Sequence, residues 1–543
     1  MIDEGFAALR VGDAVAARRA FELALGEVES GEALEGLAEA LYVERKFSAA
    51  AAHYARAYAA YRREGDSMSA GRAARTVAWV TGNALGDWAV WSGWLARARS
   101  LFREAGEDRP EHGWVLIIDA FSKPGVQERE ALLREAVTVG RRFRDADIEF
   151  MALAYLGRAL VMSDRIEDGL VLCDEAMTAV CAGELTDLAT AESIFCGLFT
   201  ACELAHDVPR AEQWTRAAER MERSPVVAAY CRAHYGGILT AAGRWHEAEM
   251  ELVEAARHVD RGMSSQRAAA IRLAELRVRQ GRLEEAAALL KGLDQHPDAV
   301  RTRAALHLAR GEAARARDIL ERATEEPDDA PPEVREATMV GPLLALLVDV
   351  YLEEGSIDAA ARAARRLELI AGRLRGPYLR AAAALATGRV RMATGRGDAR
   401  ACLHEALKEF ARAQLPMELA RTRLELARAL SERTPEVAVA EATAALEEFE
   451  RLQAARHADA AGALLRSLGA PIRTGPKGVG HLTKREAEIL ELLGAGLTNP
   501  EIGDRLYITR KTVETHVGNV LSKLGLRNRA EAAAFAVRAK FAP

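Results

Sequence analysis

One pattern constrains this chain more than any other. A small residue is followed four positions later by a large apolar one and three positions after that by a second small one, and the triplet returns at intervals of about 30 to 44 residues along much of the chain. Ala17, Phe21 and Ala24 carry it, as do Ala50, Tyr54 and Ala57, then Ala248, Leu252 and Ala255, then Ala316, Leu320 and Ala323, then Ala399, Leu403 and Ala406. Looser versions stand at Ala360, Ala364 and Leu367 and at Ala438, Ala442 and Ala445. Offsets of four and three place each triplet on one face of a helix. The small residues let that helix lie close to its neighbour. Turn sequences precede several triplets, VGDAV at 11–15, AGRWHEA at 242–248 and QGRLEEA at 280–286, so each unit reads as a helical hairpin. A hairpin of this kind cannot bury its apolar face alone and must stack on copies of itself.

The preceding helices add a second signature, Leu156 with Gly157 in AYLGRAL and Leu347 with Tyr351 in LVDVY. Together these features resemble a tetratricopeptide array over most of residues 1–470. The resemblance implies an all-α solenoid whose concave surface takes a peptide, a partner protein or a small-molecule effector. A chain of 543 residues also exceeds what one hydrophobic core organises, roughly 250 to 300 residues.

Composition agrees with a soluble helical protein, with hydrophobic residues at 50%, charged at 28% and aromatics at only 6%. The start, MIDEGFAALRVGDA, lacks a basic segment followed by an apolar one. The nearly apolar run from Met339 to Val348 falls short of the ~20 residues that cross a bilayer. The expectation is a cytoplasmic protein without a membrane partner. Six cysteines are too few for a disulfide framework, and Cys173, Cys181, Cys196, Cys202 and Cys231 are expected to be reduced, mostly buried thiols. Cys202 and His206, with Cys196 nearby, lack a second ligand pair at zinc-like spacing, so ordinary buried residues are expected and no metal. Trp79, Trp88, Trp91 and Trp94 suggest an aromatic binding site or a packed stripe; the three-residue recurrence favours packing.

PIRTGPKGVG, within residues 471–481, reads as a flexible linker. Beyond it, residues 482–543 change character. Thr483 with Glu486, Thr498 with Glu501, Thr509 and Asn528 with Glu531 each open a short helix, the first three by capping-box or hydrophobic-staple patterns. The first helix is expected to bury Ile489, Leu490 and Leu493 and to close near Gly494–Gly496. The second carries Pro500 in its first turn, with Leu497 against Ile502 as its staple. In the third, 509–524, Ile508 and Val513 form the staple; Val513, Val517, Val520 and Leu524 face inward, and Gly525 follows as the stop. Its other side presents Lys511, Thr515, Gly518 and Ser522, with Asn519 at its edge, Thr512, His516 and Lys523 on one flank and Glu514 on the other. Two short helices with a tight turn, the second displaying Lys, Thr and Asn, form a device for laying a helix in the major groove. Charge supports this: from Pro471 onward twelve Lys and Arg stand against seven Asp and Glu, a balance of +5, which leaves −11 of the overall −6 for residues 1–470.

The segments LTKREAEILELLGAGLTNPEI, RLYITRKTVETHV and KLGLRNRAEA resemble the LuxR-type (NarL-type) four-helix DNA-binding domain over its full length. That resemblance implies a bacterial transcription regulator that binds double-stranded DNA as a homodimer. It assigns Thr498, Asn499, Thr509, Arg510, Lys511, Thr512, Thr515, His516, Asn519 and Lys523 to the DNA surface and Phe535 to the dimer interface, with RNA polymerase or another protein as a further partner. Two departures stand out: Gly518, where many relatives carry a long side chain, and Gly503, where alanine is usual, an exchange worth ~1 kcal/mol of helix propensity and expected to cost only stability. Elsewhere no G-x-x-x-x-G-K-[ST] phosphate loop occurs, and no nucleophile, base and orienting group appear together, so neither a cofactor nor an enzyme is expected. The alternative reading is a repeat-based interaction or scaffold protein whose tail is an auxiliary DNA anchor.

Overall fold

The computed structural model describes residues 1–104, 109–123, 125–163, 165–218, 229–257, 264–325, 337–373, 376–470, 482, 484–506, 508–524 and 526–541. Their secondary structure is helical, with no strand among the described residues. The chain divides into two compact units, residues 1–461 and 462–543. The expected linker, 471–481, lies outside the described residues.

In the first unit nearly every helix packs on the one before it and the one after it, and the leading helices of most successive hairpins also touch one another. That order is the solenoid the repeats call for. The triplets occupy the hairpin interiors: Ala17, Phe21, Ala50, Ala57, Ala248, Leu252, Ala255, Ala316, Leu320, Leu403, Ala406, Ala438, Ala442 and Ala445 have no exposed surface, while Ala323 and Ala399 are half-buried. The turns before the second helices pass through Gly12, Gly243 and Gly281, with φ of 80°, 75° and 82°, a region that glycine enters at no steric cost.

Close approach is the rule inside the hairpins. The Phe21 ring sits between Gly5 and Gly36, and a Cβ on Gly5 would fall 2.6 Å from it. Gly157, in the helix Ala146–Met162, meets Gly169, in the helix Ile166–Ala182: a Cβ on Gly157 would lie 2.5 Å from the Gly169 carbonyl oxygen and 2.6 Å from Cys173 Sγ. The Leu156–Gly157 pair therefore marks a crossing of two helix backbones.

Two expectations change. Cys196 and Cys231 form a disulfide joining the helices Leu188–Ala205 and Ala229–Ala241, so the cysteines are not all free thiols; Cys173 and Cys202 are free and buried, and Cys181 and Cys402 are free and half-buried. Sequence spacing hid the pair, because 35 residues separate the two. The tryptophans do not all pack inward: Trp91 is 6% exposed, but Trp88 is 54% exposed and touches the body through its ring contact with Trp91. Three-residue steps advance about 300°, so Trp88 and Trp94 end about 120° apart on the helix. Trp94 packs edge-on against Tyr58, and Trp79 against Phe121 and Tyr155.

Buried charges join distant repeats. Arg272 holds the two Glu203 carboxylate oxygens at 2.7 and 2.6 Å, and His234 Nδ1 sits 2.5 Å from Glu203 Oε2. Arg279 bonds Glu275 at 3.0 Å and, across 139 residues of sequence, Glu418 at 2.9 Å, while Asp349 takes Arg389 and Arg421. Burial works against ionised Glu203 and Glu275, but Arg272 with His234, and Arg301 with Arg279, outweigh it and hold both carboxyls near 2. His206, stacked on Tyr378 with ring centroids 3.9 Å apart, is pushed by burial down to about 4, and His457 likewise to about 3. Among the described residues, no group of three or more His, Cys, Asp and Glu is arranged to hold a metal, and no helix is long and apolar enough to cross a membrane.

Gly157→Ala would gain about 1 kcal/mol in helix propensity. The backbone it would strike reverses the sign, and a net loss of about 1–3 kcal/mol is expected in urea unfolding followed by circular dichroism. Acid should weaken this unit in two steps. His206 and His457 stay neutral when folded and charge near the ordinary ~6.5 when unfolded, so the unfolded state binds more protons and stability drops as pH falls from about 6.5 towards 4. Glu203 and Glu275, lowered by folding, add a second loss below about pH 4.3. His457→Phe, which keeps the ring contact with Phe449, should show a smaller fall in Tm between pH 7 and pH 5 than the unaltered chain.

Candidate nucleic-acid interface

The C-terminal unit builds its own core. Ile489, Leu490 and Leu493 from the helix Lys484–Gly494, Ile502 from Asn499–Leu506, Val513, Val517, Val520 and Leu524 from Arg510–Leu524, and Ala532 and Ala536 from Arg529–Phe541 form one apolar cluster. Leu497 and Ile508, the outer halves of the two staples, pack on it, as the spacing implies. Gly494 brings the first and fourth helices together; a Cβ there would lie 2.7 Å from Ala536 Cβ.

Local caps set the helix starts. Glu501 accepts from the Thr498 backbone N–H at 2.6 Å and from Thr498 Oγ1 at 2.7 Å, which gives the reach-back half of the capping box. Thr509 Oγ1 accepts from the Thr512 N–H at 3.2 Å and shares a hydrogen bond with Thr512 Oγ1 at 2.8 Å. Asn528 Oδ1 accepts from the Glu531 N–H at 3.0 Å, whereas Glu531 reaches past the cap to the Arg527 N–H at 2.8 Å. The Thr483 cap and the Gly525 stop lie outside the described residues.

Along the third helix the inward positions leave a polar strip facing out. Lys511, Thr515, Gly518 and Asn519 are exposed, and the Lys511 ammonium has no partner among the described residues. Thr515 Oγ1 donates to the Lys511 carbonyl at 3.0 Å, which leaves its methyl group and lone pairs outward. Arg510 is exposed but tied to Glu514 at 2.9 Å, a pair a phosphate would have to compete with. Thr512 and His516 are half-buried on the flank, and His516 Nδ1 is shut away from solvent, so only the far edge of that ring is available outside. Lys523 falls within the helix, but its side chain lies outside the described residues. At the second helix, Thr498 is exposed and Asn499 is half-buried, its Oδ1 taken by Arg529 at 2.6 Å. Phe535 is half-buried against the unit's own core, which leaves Ala530, Ala534 and Val537 as the exposed apolar positions among the described side chains of the last helix.

Sequence reasoning missed Arg529. Besides Asn499 it holds the Leu497 carbonyl, which locks the turn before the second helix to the start of the fourth. The only local signal is a long cation directly after the Asn528 cap. Gly503 also has a steric reason to be glycine. A Cβ there would lie 2.8 Å from the Ile508 carbonyl oxygen, so the turn closes on bare backbone and more than propensity is at stake. Gly518 is the opposite case, with open space where its side chain would be.

An exposed helix carrying Lys, Thr and Asn, set by a tight turn against a second helix in a segment, residues 471–543, of charge +5, matches the dimensions and chemistry of major-groove reading. Residues 480–536 match the family described as bacterial regulatory proteins, luxR family, and this C-terminal segment is a LuxR-family helix-turn-helix domain. The chain is 54% identical over 57 residues to the transcriptional regulatory protein LnrK and 58% identical over 57 residues to LiaR, both of Bacillus subtilis (strain 168). Each alignment takes in 10% of this chain and 26% and 27% of those proteins. The DNA-binding transcriptional activator DevR/DosR of Mycobacterium tuberculosis is 43% identical over 82 residues, 15% of this chain and 37% of that protein. The chain thus spans between about a quarter and somewhat over a third of the length of these relatives. Among solved structures, the APC/C hetero-tetramer Cut9-Hcn1 aligns with 99% of this chain and 95% of that chain at 15% identity and a TM-score of 0.33. Yeast Tom70 aligns with 86% and 95% at 12% identity and a TM-score of 0.31. Scores this low carry no weight, and the solenoid rests on its own helix order.

Because its Cβ position is open, Gly518→Ala should stabilise the C-terminal unit by about 1 kcal/mol through helix propensity. A thermal melt of the full chain that resolves this unit, or hydrogen exchange at Val517 and Val520, reads the gain.

Proposed function

We propose that the chain is a DNA-binding transcription regulator, with the helix Arg510–Leu524 lying in the major groove. The observation that carries this is the exposed strip Lys511, Thr515 and Asn519 on a helix whose other side is locked into the core by Val513, Val517 and Val520. Thr498, Thr509, Arg510, Thr512, His516 and Lys523 are proposed to meet the phosphates on either side, where contacts set register and orientation without reading bases. Asn499 serves in part by holding Arg529. With Gly518 offering backbone alone, base recognition rests on fewer side chains than the helix has exposed positions.

The proposal extends to a homodimer through the last helix, which would place two recognition helices about one turn of DNA apart on a pseudo-palindrome. In it the repeats of residues 1–470 bind an effector or a protein partner that alters how the C-terminal domains meet DNA. The names of LnrK, LiaR and DevR/DosR as regulators support the DNA-binding half of this reading.

Removing a phosphate contact reduces the counterions released, by about 0.9 in the slope of log K against log salt per contact. Lys523→Ala is therefore expected to weaken binding in a gel-shift titration and to lower that slope by about one. Asn519→Ala should weaken preferred sites more than random DNA and leave the slope unchanged. Equal affinity for all sequences before and after both substitutions would remove the recognition helix from the account.

A further inference from the structure

We infer that Cys196 and Cys231 form a reversible dithiol–disulfide couple, a site at which low-molecular-weight thiols and disulfides modify the chain and set how firmly two neighbouring hairpins are joined. The bond ties the helix Leu188–Ala205 to the helix Ala229–Ala241, with Cα atoms 4.9 Å apart. The inference rests on the DNA-binding reading for one premise only, the compartment in which the chain works.

DNA lies where small thiols keep cysteines reduced, and a disulfide in such surroundings is as a rule transient, serving catalysis or redox sensing rather than holding a fold. A chain that carries both a LuxR-family helix-turn-helix domain and a disulfide therefore meets conditions that break the bond.

The junction is built to survive that. The same two helices are also held by His234 Nδ1, 2.5 Å from Glu203 Oε2, and by the rings of Phe199 and Tyr235, with centroids 5.5 Å apart. Arg272 clamps Glu203 from the next leading helix, Ser264–Gln280. The thiol that reduction creates on Cys231 finds an acceptor in place, since the Glu192 carbonyl oxygen lies 3.7 Å from Cys231 Sγ. A buried S–H is thus given a partner as soon as it forms.

The two sulfurs differ in reach: Cys196 is half-buried, whereas Cys231 is fully buried. An incoming thiolate therefore attacks Cys196 Sγ. A new S–S bond forms between the small thiol and Cys196, the Cys196–Cys231 bond breaks, and its electron pair leaves with Cys231, which takes up a proton. A second thiolate attacks the small thiol's sulfur, and the small disulfide departs while Cys196 takes up the second proton. Two small thiols lose one electron each, and the protein disulfide gains both. The reverse sequence, with the small disulfide as oxidant, remakes the bond. The other cysteines do not compete: burial pushes Cys173 up to about 12 and Cys202 well above the ordinary thiol range, and it raises Cys181 and Cys402 too, so little reactive thiolate forms on them.

Incubating the full chain with reduced glutathione in the absence of denaturant, followed by acid quenching, alkylation and peptide mapping by mass spectrometry, tests this. At millimolar reduced glutathione the Cys196–Cys231 crosslink is expected to disappear with an unchanged circular dichroism spectrum, and to return when oxidised glutathione is added. Amide exchange in the two joined helices should be at least tenfold slower in the crosslinked form. With oxidised glutathione, Cys231→Ser should take one glutathionyl group on Cys196, while Cys196→Ser takes none on Cys231. A crosslink that persists in reduced glutathione until the chain is unfolded, one that fails to re-form in the folded chain, equal amide exchange in the two forms, or glutathionylation of Cys231 in place of Cys196 would each overturn the couple. Gel shifts of both forms separate the two readings: DNA binding by a chain whose crosslink resists glutathione sinks the couple alone, whereas a couple that cycles in a chain without DNA affinity upholds the couple and counts against the DNA-binding function.

Discussion

Everything in the long N-terminal unit depends on how closely two helix backbones can approach. Alanine and glycine at the contact positions allow it, and the large anchors, Phe21, Tyr54, Leu252, Leu320 and Leu403, then fill the hollows those small residues leave. At the crossing of Gly157 and Gly169 each glycine's missing Cβ would strike the other's carbonyl oxygen, with Cys173 and Val161 close beside. Once the hairpins are this thin, their leading helices come near enough to touch in series, and the polar side chains they carry are forced to find partners among themselves. The buried arginine and carboxylate clusters are the outcome of that crowding.

The same constraint explains what the sequence discloses. Residues three and four apart report their own helix face, so the anchors of the repeats, the staples Leu497–Ile502 and Ile508–Val513 and the inward side of the recognition helix were all legible. Pairs that meet only after folding were not. Cys196 with Cys231, Arg529 with the Leu497 carbonyl and Arg279 with Glu418 are brought together by hairpin stacking or helix crossing, and nothing in the local spacing announces them. Trp88 fails for a simpler reason, since three steps of a helix do not complete a turn.

At the DNA-facing unit the legible part was the polar strip itself; the hidden part was its support. Arg529 links the entry of the second helix to the start of the fourth, and Gly503 lets the intervening turn close on backbone, so the angle at which the third helix is presented is set by residues outside it. Several side chains on the flank are already engaged, Arg510 with Glu514 and Thr512 with Thr509, which makes the approach to phosphate an exchange of partners rather than a simple addition.

The clasp between Arg279 and Glu418 has a consequence of its own. A stack of repeats in which each touches only its neighbours melts like a zipper, unravelling from either end, and a disturbance in one repeat dies out within a few others. A half-buried ion pair that joins positions 139 residues apart turns part of that stack into a closed circuit. Between its two ends no repeat can loosen without straining the loop, so the segment from the mid-200s to the early 400s should open as one cooperative block and carry a local change from one side to the other without loss.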